Sequence, residues 1–175
     1  AQYPGTQVLF VGTKRKMDAV SLGNHGFTGC SVDCYGLKGK NLIELVRALL
    51  VLPLSFVQAI GHIRRFRPDV VLGVGGYVTG PVVAAARTLG IPTVIHEQNS
   101  VPGLANRKLA AIVDRICLSL PDSGGFFPPR KCVLTGNPVR QGIVDLAGRH
   151  RSGSATGLTV VVLGGSQGAH ALNML

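Results

Sequence analysis

Short runs of β-branched and aliphatic residues that end in glycine recur along this chain, and they constrain its fold more than any other feature. Residues 69–74 (DVVLGV) lead into a glycine-rich turn at residues 75–81 and then into an apolar segment. Residues 158–163 (LTVVVL) lead in the same way into a glycine turn at residues 164–168. Continuous apolar runs are typical of strands in parallel sheets. Their alternation with helical segments predicts an α/β fold with a Rossmann-like parallel sheet.

Similar runs predict the other strands. We expect buried strands at residues 7–12 and 91–95, and further strands within residues 27–35 and 115–119. Helices are expected at residues 17–22 and 82–89. Residues 122–131 are polar and rich in proline, which predicts a loop.

The apolar tract at residues 42–63 admits two interpretations. Its uncharged part lies between Arg47 and Arg64 and is shorter than the roughly 20 apolar residues that a spanning helix needs. Pro53 lies in its middle, so we predict two helical pieces joined or kinked there. Basic residues flank both ends, which suits a helix lying on an anionic bilayer. A pair of core helices with basic ends fits the composition equally well.

Charge and cysteine content narrow the class of protein. Lys and Arg number 18 against 8 Asp and Glu, which gives a net charge of +10 and favours polyanionic partners. Aromatic residues make up only 5%, too few for base-stacking platforms, so nucleic acid is not expected as a partner. Cys30, Cys34, Cys117 and Cys132 lack the spacing of a zinc site and are expected to be reduced thiols.

The most polar motif is HEQNSVPGLANR, residues 96–107, which follows the predicted strand at 91–95. Open parallel sheets bind ligands outside the carboxyl ends of their strands, so this position predicts a binding site. His96 is a candidate general base, with Glu97 beside it to orient it. The alternative is a connecting loop in which Asn106 and Arg107 lie on a solvated helix.

The composition changes near the end of the chain. Residues 148–157 are small, polar and basic, as expected of a linker. The predicted strand at residues 158–163 would be buried on both faces, and one neighbouring helix is not enough to cover it. We therefore expect the sequence to be part of a longer chain.

Four motifs, GGYVTGP, HEQNSVPGLANR, GNPVR and GGSQGA, resemble in this order the MurG family of bacterial glycosyltransferases. The resemblance covers essentially the whole chain, and Thr79 replaces a serine common in the family. It implies an incomplete GT-B fold. Residues 1–140 would form most of the N-terminal acceptor-binding domain, 141–157 a linker, and 158–175 the start of the C-terminal UDP-sugar-binding domain. The family's first strand, and its glycine loop with a histidine assigned to chemistry, have no counterpart here.

The resemblance also implies a reaction and its partners. The family transfers N-acetylglucosamine, with inversion, from UDP-N-acetylglucosamine to the muramoyl 4-hydroxyl of undecaprenyl-diphospho-muramoylpentapeptide in peptidoglycan synthesis. This takes place on an anionic membrane surface, at the cytoplasmic face of the bacterial inner membrane. Backbone amides and helix amino termini can stabilise the UDP oxygens, so no cofactor and no metal is expected. The chain alone is expected to be inactive.

Carried over by motif, the resemblance assigns roles to individual residues. UDP-N-acetylglucosamine contacts fall on Asn99, Arg140 and Ser166. The acceptor and its diphosphate are assigned to Gly75, Gly76, Tyr77, Thr79, Gly80, His96, Glu97 and Gln98. The donor glycine loop corresponds to Gly164, Gly165, Gln167 and Gly168. Membrane contact falls on Leu49, Leu52, Phe56, Arg64 and Arg65. The general base stays unassigned, with His96 as the candidate within this chain.

Three other classes of protein can be compared with the MurG family. Another UDP-sugar enzyme of the same two-domain fold should lack HEQN followed by PGLANR. A dinucleotide-binding domain would need G-x-G-x-x-G after its first strand, a spacing that Gly73, Gly75 and Gly76 do not provide. The third is a non-catalytic fragment that associates with membranes.

Overall fold

A computed structural model of the chain describes residues 5–13, 23, 26–34 and 42–147. The chain divides into two compact units, Ala1–Asn137 and Pro138–Leu175. The predicted helix at 17–22, the linker at 148–157 and the strand at 158–163 lie outside the described residues.

The described part of the first unit alternates strands and helices. Strand β1 (Leu9–Gly12) pairs in parallel with β2 (Thr28–Ser31). Helix α1 (Leu42–Phe66) follows, and then come β3 (Val71–Gly73), α2 (Thr79–Thr88), β4 (Thr93–Glu97), α3 (Leu104–Leu109), β5 (Arg115–Leu118) and β6 (Cys132–Leu134). Two short 3-10 helices, Pro121–Phe126 and Pro129–Lys131, occupy the predicted loop before β6. In the second unit, α4 spans Gln141–Ala147.

Strands β3 to β6 form one parallel sheet in sequential order, which confirms the predicted α/β class. Helices α2 and α3 pack on one face, where Val83, Ile95 and Ile116 are fully buried. On the other face Leu72 and Val133 are exposed. The strand predicted at residues 69–74 is shorter in the structure, where β3 spans Val71–Gly73.

Strand β1 departs from its prediction in the same way. It is shorter than the predicted run at residues 7–12, and Val8 and Phe10 are exposed. The Phe10 ring packs edge-on against Phe27, with ring centroids 5.1 Å apart. Part of its apolar surface is thus covered by a neighbouring aromatic side chain.

Helix α1 runs continuously through Pro53, so the predicted division into two pieces is wrong. Pro53 lies on the exposed side, where water can bond the carbonyl that a proline leaves without its usual helical donor. On the opposite side, the Ser55 hydroxyl donates to the carbonyl of Val51 at 2.9 Å and to that of Asp33. Packing on that side stabilises the helix despite its proline. Among the described helices, none is long and apolar enough to cross a membrane.

Small residues set how closely the layers approach. Ala59 of α1 and Ala85 and Ala86 of α2 are buried in one cluster with Val32. Gly73 of β3 lies directly under α2, and a Cβ atom there would stand 2.5 Å from the Thr79 methyl group. The glycine therefore permits α2 to begin immediately above the end of β3.

At the opposite edge of the sheet, Asp114 joins the starts of β4 and β5. Its carboxylate accepts hydrogen bonds from the backbone N–H of Thr93 at 2.8 Å and from the Thr93 hydroxyl at 3.0 Å. Arg87, at the end of α2, donates to the same carboxylate at 3.2 Å. The backbone and side-chain donors of Thr93 together hold the pKa of Asp114 below its ordinary value.

The packing at Gly73 predicts a large effect from a single methyl group. We expect Gly73→Ala to destabilise the fold by about 1–3 kcal/mol, because the Cβ atom forces α2 away from the sheet. The matched control is Gly61→Ala on the exposed side of α1, where a Cβ meets nothing within 4 Å. It should stabilise by about 0.5–1 kcal/mol through helix propensity. Urea unfolding of both variants measures this, and equal effects would contradict the packing argument.

Candidate functional site

The candidate site lies at the carboxyl edge of the four-stranded sheet. Three segments meet this edge: the glycine turn after β3, the loop that follows Glu97, and residues 135–137 after β6. This is the edge at which parallel α/β sheets bind their ligands.

The glycine turn begins with two residues in the left-handed region, Gly75 at φ 96° and Gly76 at φ 84°. The Thr79 hydroxyl donates to the carbonyl of Gly75, which closes the turn onto the start of α2. Tyr77 is exposed, and its carbonyl accepts from the Cys34 thiol at 3.0 Å. Within the described part of the chain, no side chain caps the amino terminus of α2. The positive end of that helix dipole therefore lies at the site.

The loop after β4 is organised by the carboxylate of Glu97, which is only 1% exposed. One carboxylate oxygen accepts from the backbone N–H and the side-chain amide of Asn99, both at 3.0 Å. The other accepts from the backbone N–H of Gly103 at 3.1 Å and from the Asn106 amide at 2.9 Å. The loop therefore wraps around a single buried charge.

These contacts set the protonation of Glu97. Burial alone would raise the pKa of this carboxyl group, but the donors of Asn99, Asn106 and Gly103 together hold it below its ordinary value. The group is ionised at neutral pH. A carboxylate that already accepts four hydrogen bonds is suited to holding a loop rather than to exchanging protons.

The side chain of His96 points to the opposite face of the sheet from that of Glu97. Adjacent strand residues point to opposite faces of a sheet, and the structure describes no hydrogen bond between these two side chains. The prediction that Glu97 orients His96 is therefore wrong. The imidazole instead contacts Gly136, Gln98 and Ser119.

The other predicted site residues are distributed unevenly. Asn99 is exposed and lies at the site, with its amide held by Glu97. Arg140 belongs to the second unit, directly before α4, where its carbonyl accepts from the N–H groups of Ile143 and Val144. Ser166 and the donor glycine loop lie outside the described residues. Gly80 lies in the first turn of α2.

Sequence reasoning missed several residues of the site. Asn106, which the connecting-loop alternative placed on a solvated helix, is 3% exposed and donates to the carbonyl of His96 and to Glu97. Arg107 beside it is exposed, in agreement with that alternative. Ser119 and Gly136 join the site from β5 and β6, at 23 and 40 residues from His96. The position of Ser119 at the end of a predicted strand was the available signal.

A cleft of about 450 Å³ lies at the other edge of the sheet, away from the polar motif. Its charged lining residues are Arg87, Asp114, Arg115, Arg130 and Lys131. Lys131 donates to the carbonyls of Ala110 and Ala111, both at 2.9 Å, while Arg87 pairs with Asp114. These two cations stabilise a helix end and a strand junction, which gives them a structural role.

The outward side of α1 differs in detail from the predicted membrane-contact residues. Phe56 packs against a buried cluster, Leu52 is half-buried, and the side chain of Leu49 lies outside the described residues. Among the α1 side chains that the structure describes, the exposed large apolar ones are Leu50, Leu54 and Val57. Arg64 and Arg65 are exposed in the last turn. Helical spacing aligns these residues along one stripe, which we call the α1 stripe.

Comparison with known proteins assigns the chain to a family. Residues 2–118 match the glycosyltransferase family 28 N-terminal domain. The chain therefore belongs to glycosyltransferase family 28.

Within this class the chain is similar to MurG proteins. It is 64% identical to the UDP-N-acetylglucosamine–N-acetylmuramyl-(pentapeptide) pyrophosphoryl-undecaprenol N-acetylglucosamine transferase of Desulfotalea psychrophila, over 99% of this chain and 47% of that protein. A transferase of the same name from Syntrophus aciditrophicus is 46% identical, over 95% of this chain and 46% of its own length. The chain spans about half the length of these curated relatives.

Solved structures agree with the fold. The crystal structure of Acinetobacter baumannii MurG superposes with a TM-score of 0.64 and 31% identity, over 81% of this chain and 40% of that one. The predicted resemblance to MurG and the predicted Rossmann-like parallel sheet of GT-B type are confirmed.

The Glu97 network predicts a defined effect of replacing the carboxylate. We expect Glu97→Gln to destabilise the fold by about 1–3 kcal/mol, since the new NH₂ group faces two donors whichever way it turns. Folding lowers the pKa of Glu97, so its contribution is complete above the pKa of the unfolded chain. It is lost as pH falls through the lower pKa of the folded protein. Urea unfolding across acidic pH measures this, and a difference between parent and variant that did not shrink towards low pH would refute it.

Proposed function

We propose that this chain functions as part of an inverting N-acetylglucosaminyltransferase that acts on a lipid-linked muramoyl-pentapeptide. The observation that carries the proposal is the 64% identity over 99% of the chain to a transferase of that name. In the proposed reaction, the muramoyl 4-hydroxyl attacks the anomeric carbon of the sugar from the face opposite UDP. The hydroxyl proton passes to a base, the C1–O bond breaks so that UDP leaves, and a β-1,4 link forms.

The geometry of the first unit supports a role in binding the acceptor. The left-handed glycines leave the backbone of the turn open to a ligand, and the uncapped amino terminus of α2 favours an anion. We infer that the acceptor diphosphate binds there, beside Tyr77 and Thr79. Backbone N–H groups can stabilise the anion without being charged themselves, so no second charge has to lose its hydration when the ligand binds.

The Glu97 network supports a role for Asn99 in binding the donor sugar. One hydrogen of its side-chain nitrogen is committed to Glu97, which leaves the second N–H and the amide oxygen for a ligand. The loop has little freedom because both Asn99 and Gly103 are held by the same carboxylate. Such preorganisation lowers the entropic cost of binding.

We further propose that the α1 stripe contacts the cytoplasmic face of the membrane. Leu50 is 74% exposed, and Leu54 and Val57 continue its apolar surface towards Arg64 and Arg65. Apolar side chains next to cations are typical of helices that lie at an anionic interface. The net charge of +10 favours the same partner.

Transfer activity is testable in a chimera that carries this sequence in place of the matching half of the Desulfotalea psychrophila relative. We expect it to move radiolabelled N-acetylglucosamine from UDP-N-acetylglucosamine to the lipid-linked acceptor. Asn99→Ala should lower kcat/KM by about ten- to hundredfold, the effect of losing one buried polar contact. Arg130→Ala, at the opposite edge of the sheet, should leave it unchanged. A folded chimera that transfers no sugar would overturn the proposal.

Membrane contact is testable by sedimentation of the chain with vesicles that contain anionic phospholipid. Reversing two charges, Arg64→Glu with Arg65→Glu, should weaken binding by at least about thirtyfold, since each basic residue lost near the surface removes about 1 kcal/mol and each new carboxylate adds repulsion. The matched control reverses Arg115 and Arg130 in the same way and should have a smaller effect. If both double variants lose binding equally, net charge alone explains it and the α1 stripe has no special role.

A further inference from the structure

Both ring nitrogens of His96 are engaged by protein groups. The imidazole is 7% exposed at the end of β4. Its Nε2 atom lies 3.0 Å from the carbonyl oxygen of Gly136. A carbonyl oxygen only accepts hydrogen bonds, so Nε2 carries a proton.

The Nδ1 atom has the opposite role. It lies 2.9 Å from the side-chain nitrogen of Gln98. That nitrogen also lies 3.3 Å from the carbonyl oxygen of Val74, which requires a donor at this position and fixes the orientation of the amide. Gln98 therefore donates one hydrogen to Val74 and the other to Nδ1. The ring is neutral, and the Nδ1 lone pair is occupied.

These hydrogen bonds cross the whole carboxyl edge of the sheet. Val74 follows β3, His96 lies one residue before the end of β4, and Gly136 follows β6. Residues 135 and 136 bend over the end of β5, where their N–H groups both donate to the carbonyl of Leu118. Gly136 makes this bend at φ 72°, and its carbonyl thereby faces His96.

We propose that His96 is a positioning residue, held in the neutral Nε2–H form, that fastens the glycine turn and residues 135–137 to one strand end. It is not the proton acceptor of the transfer reaction, because neither nitrogen has a lone pair directed to a substrate hydroxyl. This second statement rests on the proposed function, whereas the tautomer and the two connections do not.

The tautomer is measured directly by long-range ¹H–¹⁵N correlation of the histidine rings in the ¹⁵N-labelled chain without substrate. We expect one protonated Nε2 and one unprotonated Nδ1 for His96 at neutral pH, assigned by the loss of its signals in His96→Ala. A protonated Nδ1 in the parent chain, or fast exchange between tautomers, would overturn the proposal.

Amide exchange tests the connections. In His96→Ala, the amides of Thr135 and Gly136 should exchange about tenfold faster, the effect of losing one hydrogen bond. His96→Gln places a donor where Nε2 lies and should restore their protection, which also keeps the test decisive if the alanine variant does not fold. Arg130→Ala, at the opposite edge of the sheet, is the control and should change their exchange by less than about twofold. Unchanged protection in a folded His96→Ala would contradict the proposal.

The kinetic part uses the transfer assay of the chimera. Glutamine cannot take up a proton, so His96→Gln would lower kcat by about 10²–10⁴-fold if His96 were the base. We expect a loss below tenfold. A larger loss of kcat with an unchanged KM would restore His96 as the base. An inactive chimera would instead count against the proposed function, since the tautomer and exchange results stand without substrate.

Discussion

The site depends on one buried charge. The four donors around Glu97 come from Asn99, Gly103 and Asn106, and only an ionised carboxylate offers acceptors to all of them without presenting a donor of its own. The spacing of the polar motif follows from this geometry, because each of these residues must return to the same two oxygens. Several polar residues of this motif therefore have a structural role, because they hydrogen-bond to the Glu97 carboxylate.

The end of β4 serves two networks on opposite faces of the sheet. Glu97 holds the loop on the helix-covered face, while His96, together with Gln98, holds the residues that follow β3 and β6 on the other. Asn106 joins the two networks, since it donates both to the carbonyl of His96 and to the carboxylate of Glu97. The three segments that border the candidate site are thus hydrogen-bonded to the end of one strand, β4, which fixes their relative positions.

Apolar runs were enough to predict the α/β class and most strands, because each run is continuous in sequence. The three-residue β6 was missed, since its existence depends on pairing with β5. Pro53 was predicted to break a helix that tertiary packing keeps continuous. The burial of Asn106 was also missed, because it comes from a contact with Glu97 that polarity does not reveal. The partnership of His96 with Gly136 spans 40 residues and exists only once the sheet is formed.

The Glu97 contacts have a consequence for folding. Their longest span is nine residues, between Glu97 and Asn106. Closing so short a loop costs little chain entropy, and local contacts of this kind form early. The binding loop can therefore take its shape together with its own strand, before distant strands pair. The loop is already ordered before a ligand binds. Little of the binding free energy is then spent on ordering the loop, and the rest contributes to affinity and selectivity.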